Sequence, residues 1–424
     1  MTNFRDKKVA ILGWGVDTQD VTPWLEKQGA KITVLDEGRG DKFGQLDKFD
    51  VLVRSPGVYR YRKEIVEAEK AGVVVTSKIK IFFDICPAKI IGVTGTKGKG
   101  TTATLIYEIL KAAGKKVYLG GNIGEEIFDK LDKLDEFAWI ILELSSFQLI
   151  DLEKSPHIAV VLMTTSEHQD WHKDEKEYVD AKKRLVEYQR CSDFAIVNKD
   201  YPNSVEIGKA AGGKVIWISK GDVTRLRQGY GEARGIKLRG EHNLENIAAA
   251  MAVAKIVGVP EVRAVGVVRE FRGLEHRLEE VGMVNGITFY NDSFSTTPET
   301  AIAAIKAFSE PEILILGGSS KKADFTELGR VISETKNVKV VIVIGVEGPK
   351  IAKEIRGIRV IGGGAEMEKI VEMAYNNATK GDIVLLSPAC ASFDMFKNYK
   401  DRGEQFKKAV GELEKSGSSG GSGK

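Results

Sequence analysis

Residues able to bind a phosphate gather around position 97. The stretch IIGVTGTKGKGTTATLI, residues 90–106, sets Gly95, Thr96, Lys97, Gly98, Lys99, Gly100 and Thr101 between an apolar run and a helix-like run. Glycines at 95 and 98 let the backbone approach an anion closely, and successive N–H groups with a helix N-terminus can bind it. Lys99 can pair with β- and γ-phosphate oxygens, and Thr101 or Thr102 offers a hydroxyl to Mg2+. The common spacing G-x-x-x-x-G-K-[ST] is not kept, because Val93 stands at its first glycine and Gly100 at its hydroxyl position. Two further groups lie where strands should end. Glu143 closes the apolar run AWIILE, and His168 follows HIAVVLMTT with Glu167 and Asp170 beside it. Either residue alone reads as an ordinary surface or structural group. A carboxylate, an imidazole and a phosphate loop at neighbouring strand ends point instead to metal–nucleotide chemistry.

Elements must exist to hold these groups. VAILGWG, KITVLDE and FDVLVRSPG read as strands around the helix VTPWLEKQG, and this first segment runs to about Pro87. In the second segment Leu105, Ile106, Ile109, Leu110 and Ala113 share a helical face, with Gly114 as a stop. VYLGGNIG, AWIILELSS, HIAVVLMTT and FAIVNKD are further strands, and KEYVDAKKRLVEYQ and LENIAAAMAVAKIVG are helices. Beyond Gly273 the alternation repeats through ITFYNDS, PETAIAAIKAF, EILILGG, ADFTELGRVISE, VKVVIVIG, EMEKIVEMAYNNA and DIVLLSP. Such alternation predicts α/β domains with mainly parallel sheets, whose ligands sit beyond the carboxyl ends of the strands. The expected division is 1–87, 88–273 and 274–415, with a Ser/Gly-rich flexible tail, 416–424, outside the fold.

Composition narrows the class. With 424 residues, 42% apolar and 29% charged, the chain is a soluble multidomain protein. A net charge of +3 leaves no electrostatic footprint for nucleic acid or an anionic membrane. Neither a membrane-length apolar run nor a signal-peptide core is expected, and Cys86, Cys191 and Cys390 are too few and too scattered for a disulfide framework. A cytoplasmic protein is expected.

The loop GTKGKGTT resembles the G-T-x-G-K-x-T loop of the Mur ligases, which begins at Gly95 and accounts for the altered spacing. GNIG (121–124), ELSSFQL (143–149), HNLENIAAA (242–250), GLEHRLE (273–279), NDS (291–293) and SPACASFDMFKNYKDRGEQF (387–406) follow in that family's order over nearly the whole chain. The last of these resembles the signature of the branch that adds D-glutamate.

The resemblance implies a Rossmann-like first domain for a UDP-sugar, a central ATPase-type domain and a Rossmann-like third domain for the amino acid. It implies ATP and Mg2+ as cofactors, UDP-N-acetylmuramoyl-L-alanine and D-glutamate as substrates, an acyl-phosphate intermediate and a monomer. It assigns Lys99, Glu143, His168 and Lys182 to catalysis, with Thr101, Glu143, His168 and a carbamylated Lys182 at the metal sites. Asn243, Asn246, Arg277 and Asp292 join the loop in holding the nucleotide. Asp36, Ser55, Gly57 and Asn122 fall to the sugar nucleotide, and Thr296, Lys321, Ser392 and Tyr399 to the amino acid. From the residues alone Lys182 reads as a solvated helix lysine, with Lys183 as the alternative register.

Some positions depart from the family pattern. In GWGVDT, Asp17 replaces a hydroxyl and Thr18 a glycine, so a carboxylate stands where a diphosphate is expected. Phe294 replaces a cation in NDSFSTT, with Lys97 and Lys322 as substitutes, and Met163 replaces an Asn. A ligase of this fold with another acceptor or amino acid, such as a folate–glutamate ligase, and a silent ATP-binding protein remain alternatives.

Overall fold

The computed structural model of the chain describes residues 3–165, 171–222, 236–238, 242–319 and 323–419, with the backbone alone at Val16, His242 and 416–419. The chain divides into two compact units, Met1–Ile236 with His242–Glu270, and Lys237–Glu241 with Phe271–Lys424.

The first unit holds two sheets. In the first sheet β1 (Lys8–Leu12), β2 (Lys31–Leu35), β3 (Val51–Arg54) and β4 (Val74–Ser77) lie in the order β2-β1-β3-β4, all parallel. Helices α1 (Val16–Lys27), α2 (Lys63–Lys70) and α3 (Lys78–Ile85) complete this segment. The second sheet comprises β5 (Lys89–Thr94), β6 (Val117–Gly121), β7 (Trp139–Glu143), β8 (Ile158–Val161), β9 (Phe194–Asn198) and β10 (Lys214–Ile218). Its order is β10-β9-β8-β5-β7-β6, again all parallel. Parallel strands covered on both faces must be apolar on both, and Ile90, Ile91, Val93 and Ile140–Leu142 are buried accordingly. This order places β5 between β7 and β8, so the loops that follow these three strands emerge side by side. One apolar core runs from Val9 and Ile11 to Ile140, Leu142 and Val161, and the two sheets share it.

Helices α4 (Lys99–Ala112), α5 (Ser146–Leu149), α6 (Glu175–Lys183), α7 (Pro202–Lys209), α8 (His242–Val257) and α9 (Glu261–Glu270) accompany the second sheet. The sequence pattern extends α6 to Gln189, but the helix closes at Lys183. There the chain tightens into short turns, Leu185 N–H to Lys182 O and Val186 N–H to Lys183 O, which carry Leu185 and Val186 into the core. Leu185 lies over Gly92 of β5, where a Cβ would stand 2.8 Å from its methyl group.

The second unit holds β11 (Glu279–Val284), β12 (Ile287–Asn291), β13 (Glu312–Gly317), β14 (Val338–Ile344), β15 (Arg359–Gly362) and β16 (Ile383–Leu386), in the order β11-β12-β16-β13-β14-β15. Among the described strand pairs of this sheet, β11–β12 is antiparallel and the others are parallel. Helices α10 (Pro298–Ile305), α11 (Thr326–Glu334), α12 (Gly348–Glu354), α13 (Met367–Asn376) and α14 (Tyr399–Ser419) complete it. Among the described residues no helix is long and apolar enough to cross a membrane.

Candidate active site

The phosphate loop is the turn between β5 and α4. Gly95 (φ +155°) and Gly98 (φ +85°) both occupy backbone conformations that side chains disfavour. Lys99 Nζ donates to the Gly95 and Thr96 carbonyls, each at 3.0 Å, so the lysine folds over its own loop. Thr96 is pinned by Tyr178, whose hydroxyl lies 2.8 Å from Thr96 Oγ1, and its Oγ1 also accepts from Thr165 N–H at 3.0 Å. Lys97 is exposed at the tip and Gly100 is buried. In the first turn of α4 the two threonines differ. Thr102 is sealed, and its hydroxyl finds no hydrogen-bond partner among the described residues; Thr101 is half-buried. Thr101 is therefore the hydroxyl at this helix start that a ligand can reach.

The neighbouring strand ends bring up the other groups. Glu143 ends β7 in register with Val93 of β5 and Gly121 of β6. Its carbonyl accepts from Asn122 N–H at 3.0 Å, and Gly121 has no room for a Cβ against that carbonyl. A hydroxyl and a carboxylate are hard oxygen donors, which fits a Mg2+ site. Lys182 is not the solvated lysine its KK pair suggests. It is 1% exposed, and its Nζ donates to Thr94 Oγ1 (3.2 Å) and Gly95 O (3.1 Å) while lying 4.6 Å from the centre of the Tyr178 ring. Lys183 instead pairs with Asp180 (2.9 Å) and Glu206 (2.6 Å) near the surface, so of the two lysines it is Lys182 that faces the loop.

Helix α8 closes the loop from the other side. Asn246 packs so tightly on Gly98 that a Cβ there would stand 2.2 Å from its Oδ1. Its Nδ2 donates to Asn243 Oδ1 at 2.8 Å, so the two asparagines one helical turn apart do form a pair.

In the first sheet, Asp36 accepts from Trp14 N–H (2.7 Å) and Gly38 N–H (2.7 Å), which occupies both carboxylate oxygens with backbone. Ser55 is half-buried and Gly57 exposed in the turn after β3. The two unusual residues of the first turn are both accommodated. Thr18 Oγ1 accepts from Gly15 N–H at 3.0 Å. Asp17 Oδ1 accepts from Gln148 Nε2 at 3.2 Å and lies 4.0 Å from Lys78 Nζ. Lys78 in turn pairs with Asp20 (2.7 Å) and Glu126 (2.8 Å), and burial lifts the Asp20 carboxyl to about 6. Exposed Asn122 lies beyond β6.

In the second unit, Asp292 is buried and accepts from the hydroxyls of Ser295 and Ser387 and from Leu278 N–H. Desolvation raises its carboxyl to about 6 against these hydrogen bonds. Phe294, at the position of an expected cation, carries the Arg277 guanidinium 3.8 Å from its ring centre. Its ring also meets Tyr399 edge-on at 5.1 Å. Thr296 is half-buried just before α10, and Ser392 is buried, its carbonyl accepting from Phe396 N–H at 2.8 Å. Arg402, which sequence reasoning passed over inside the last motif, is fully buried. It donates to Ser293 Oγ (2.9 Å), Ser293 O (2.8 Å) and Cys390 O (3.1 Å), and so joins NDS to SPACAS. Tyr178 was also passed over, although its place one helical turn before Lys182 was a usable signal. His168 and Lys321 lie outside the described residues.

A glycine loop after a central parallel strand, a lysine at the following helix start and a carboxylate at the next strand end define the phosphate-loop class of α/β nucleotide-binding proteins. Residues 93–254 match the Mur ligase middle domain, and 276–390 the Mur ligase glutamate ligase domain. A UDP-N-acetylmuramoylalanine–D-glutamate ligase of Acetivibrio thermocellus is 39% identical over 97% of this chain and 97% of that protein. A protein of the same name from Clostridium botulinum strain 657 is 35% identical over 96% of this chain and 97% of its own. Two solved structures from Thermotoga maritima share the fold. UDP-N-acetylmuramate–alanine ligase MurC has a TM-score of 0.58 at 14% identity, covering 96% of this chain and 99% of its own. MurF ligase in complex with ADP has a TM-score of 0.58 at 18% identity, covering 97% and 96%. The chain belongs to the Mur ligase family.

Proposed function

We propose that this protein is an ATP-dependent ligase that joins D-glutamate to UDP-N-acetylmuramoyl-L-alanine, a step of peptidoglycan precursor synthesis, giving ADP and phosphate. The observation that carries this reading is near full-length similarity to ligases of that name, in a chain whose loop residues, Glu143, Lys182, Asn243 and Asn246 converge around β5.

A carboxylate is a poor electrophile, and phosphorylation by ATP gives it a leaving group. The amine of D-glutamate then attacks the acyl phosphate, and the tetrahedral adduct collapses to an amide and phosphate. The loop Gly95–Thr101 holds the phosphates through backbone N–H groups other than that of Thr96, which donates to Met163 O at 2.6 Å, and Lys99 exchanges its loop carbonyls for phosphate oxygens, offsetting charge as two anions approach. Thr101 and Glu143, with His168, would hold Mg2+, which supplies further neutralisation of phosphate and carboxylate. Lys182, as a carbamate, would add an anion to that site. Asn243 and Asn246 hold adenine and ribose. Asp36, Ser55, Gly57 and Asn122 receive the sugar nucleotide, Asp36 by ordering its loop. Arg277 and Asp292 contribute to nucleotide binding, and Thr296, Lys321, Ser392 and Tyr399 to amino-acid binding. On this reading residues 1–87, 88–273 and 274–415 serve the UDP-sugar, ATP and amino acid in turn, in a cytoplasmic monomer.

The test is phosphate release in Mg-ATP with UDP-N-acetylmuramoyl-L-alanine and either D- or L-glutamate. Release that needs the sugar nucleotide and D-glutamate, and is abolished in Lys99→Ala, is expected. Release indifferent to both substrates would sink the reading.

A further inference from the structure

A chain of hydrogen bonds outside the residues assigned above crosses the first unit. Tyr59, in the turn after β3, donates through its hydroxyl to Glu177 Oε2 at 2.9 Å. Glu177 Oε1 lies 3.1 Å from His172 Nδ1, and His172 Nε2 lies 2.9 Å from Ser146 Oγ. A carboxylate only accepts, so Nδ1 donates to Glu177; on a neutral ring Nε2 then accepts from the Ser146 hydroxyl. The order Ser–His–Glu is that of a hydrolytic triad. Ser146 and His172 are each 2% exposed, however, so no acyl substrate reaches the hydroxyl. The imidazole is boxed by Phe147 (5.6 Å between ring centres, stacked), Trp171 (4.7 Å) and Tyr178 (5.4 Å), which holds one ring orientation.

The two ends of this chain carry its meaning. Tyr59 stands two residues from Gly57 in the turn assigned to the sugar nucleotide. Ser146 is the first residue of α5, three residues after Glu143, and Ser145 N–H is held by Gln148 Oε1 at 3.0 Å within the same turn. Glu177, in the middle, shares α6 with Tyr178 and Lys182, which touch Thr96, Thr94 and Gly95 of the phosphate loop. The hydrogen-bond chain thus runs unbroken from the Tyr59 turn to the turn that follows Glu143, along the same helix that touches the phosphate loop.

We propose that Tyr59, Glu177, His172 and Ser146 form a positioning relay between the sugar-nucleotide turn and the turn that carries Glu143, with His172 as its central positioning residue. The role in catalysis rests on the ligase reading above; the mechanical coupling does not. The test uses the full chain with Tyr59→Phe, His172→Gln and the double variant. Without ligands, Tyr59→Phe raises backbone hydrogen exchange in residues 144–150, far from it in sequence. In steady state each single variant lowers kcat, His172→Gln by about tenfold, with KM for ATP unchanged. The double variant is no slower than His172→Gln alone, because both cut one chain. Unchanged exchange at 144–150 in Tyr59→Phe overturns the relay, as do rate losses that simply multiply. A wild-type protein that does not ligate defeats the functional reading, while the exchange result still decides the relay. Tyr59→Phe removes a single hydroxyl from a half-buried ring, so the test survives a His172 variant that fails to fold.

Discussion

Gly98 meets two demands at once: a left-handed backbone (φ +85°) and a surface bare enough for Asn246 to rest on. Gly114, at the end of the same helix, meets only the first, with φ +73° and nothing within 4 Å of the point a methyl group would occupy. The pair separates backbone strain from contact. Gly114→Ala should cost about 1–2 kcal/mol, the strain of a left-handed residue with a side chain. Gly98→Ala should cost that and roughly 1–3 kcal/mol more, since Asn246 must be displaced. It should also abolish binding of a non-hydrolysable ATP analogue, which Gly114→Ala keeps. Calorimetric melting and titration with the analogue check both, and equal losses for the two variants would count against the contact. At Phe294 the local chemistry is likewise specific: the ring replaces an expected cation, yet it holds the Arg277 guanidinium over its face rather than leaving the position without charge.

At the scale of elements, α6 does what its amphipathic pattern does not announce. From one helix Glu177, Tyr178 and Lys182 reach the His172 chain, Thr96 and Gly95. If Lys182 acts as a carbamate, turnover should fall after bicarbonate depletion and recover on its addition. Lys182→Ala should lose activity by about a hundredfold, with no response to bicarbonate. Steady-state rates at controlled bicarbonate decide this, and a fully active Lys182→Ala enzyme rejects it. The strand–loop–helix at β5 and α4 was legible because its apolar run, glycines and helical face are all local. The strand ends at Glu143 and Val161 were legible for the same reason, to within a few residues. The burial of Lys182 was not, because its partners Thr94 and Gly95 are about ninety residues away. Arg402 was missed likewise, its acceptors Ser293 and Cys390 being supplied by other loops. Short strands such as β4, β10 and β15 escaped because pairing with a neighbour, rather than pattern, makes them strands.

For the molecule as a whole, a formal net charge of +3 leaves little global repulsion to make stability depend on pH. The dependence should come from buried acids instead. Asp20 in the first unit and Asp292 in the second are both lifted to about 6 by desolvation. Glu312, at the start of β13, goes further, to about 8, because burial outweighs its one strong hydrogen bond, from Asn337 Nδ2 at 2.7 Å. Its Oε2 is buried with no hydrogen-bond partner among the described residues. A carboxyl raised on folding binds its proton more tightly in the folded state. Its stabilisation is complete below the ordinary carboxylate range and is lost as pH climbs through about 8. For Glu312 the loss is on the order of 5 kcal/mol. The wild-type melting temperature should therefore fall between about pH 5.5 and 8.5. In Glu312→Gln, whose amide stays neutral and can still accept from Asn337, the fall should be shallower, and the variant should be the more stable protein at the alkaline end. Paired thermal scans across that range measure the difference. Parallel profiles for the two proteins would mean that Glu312 is not the group whose ionisation weakens the fold.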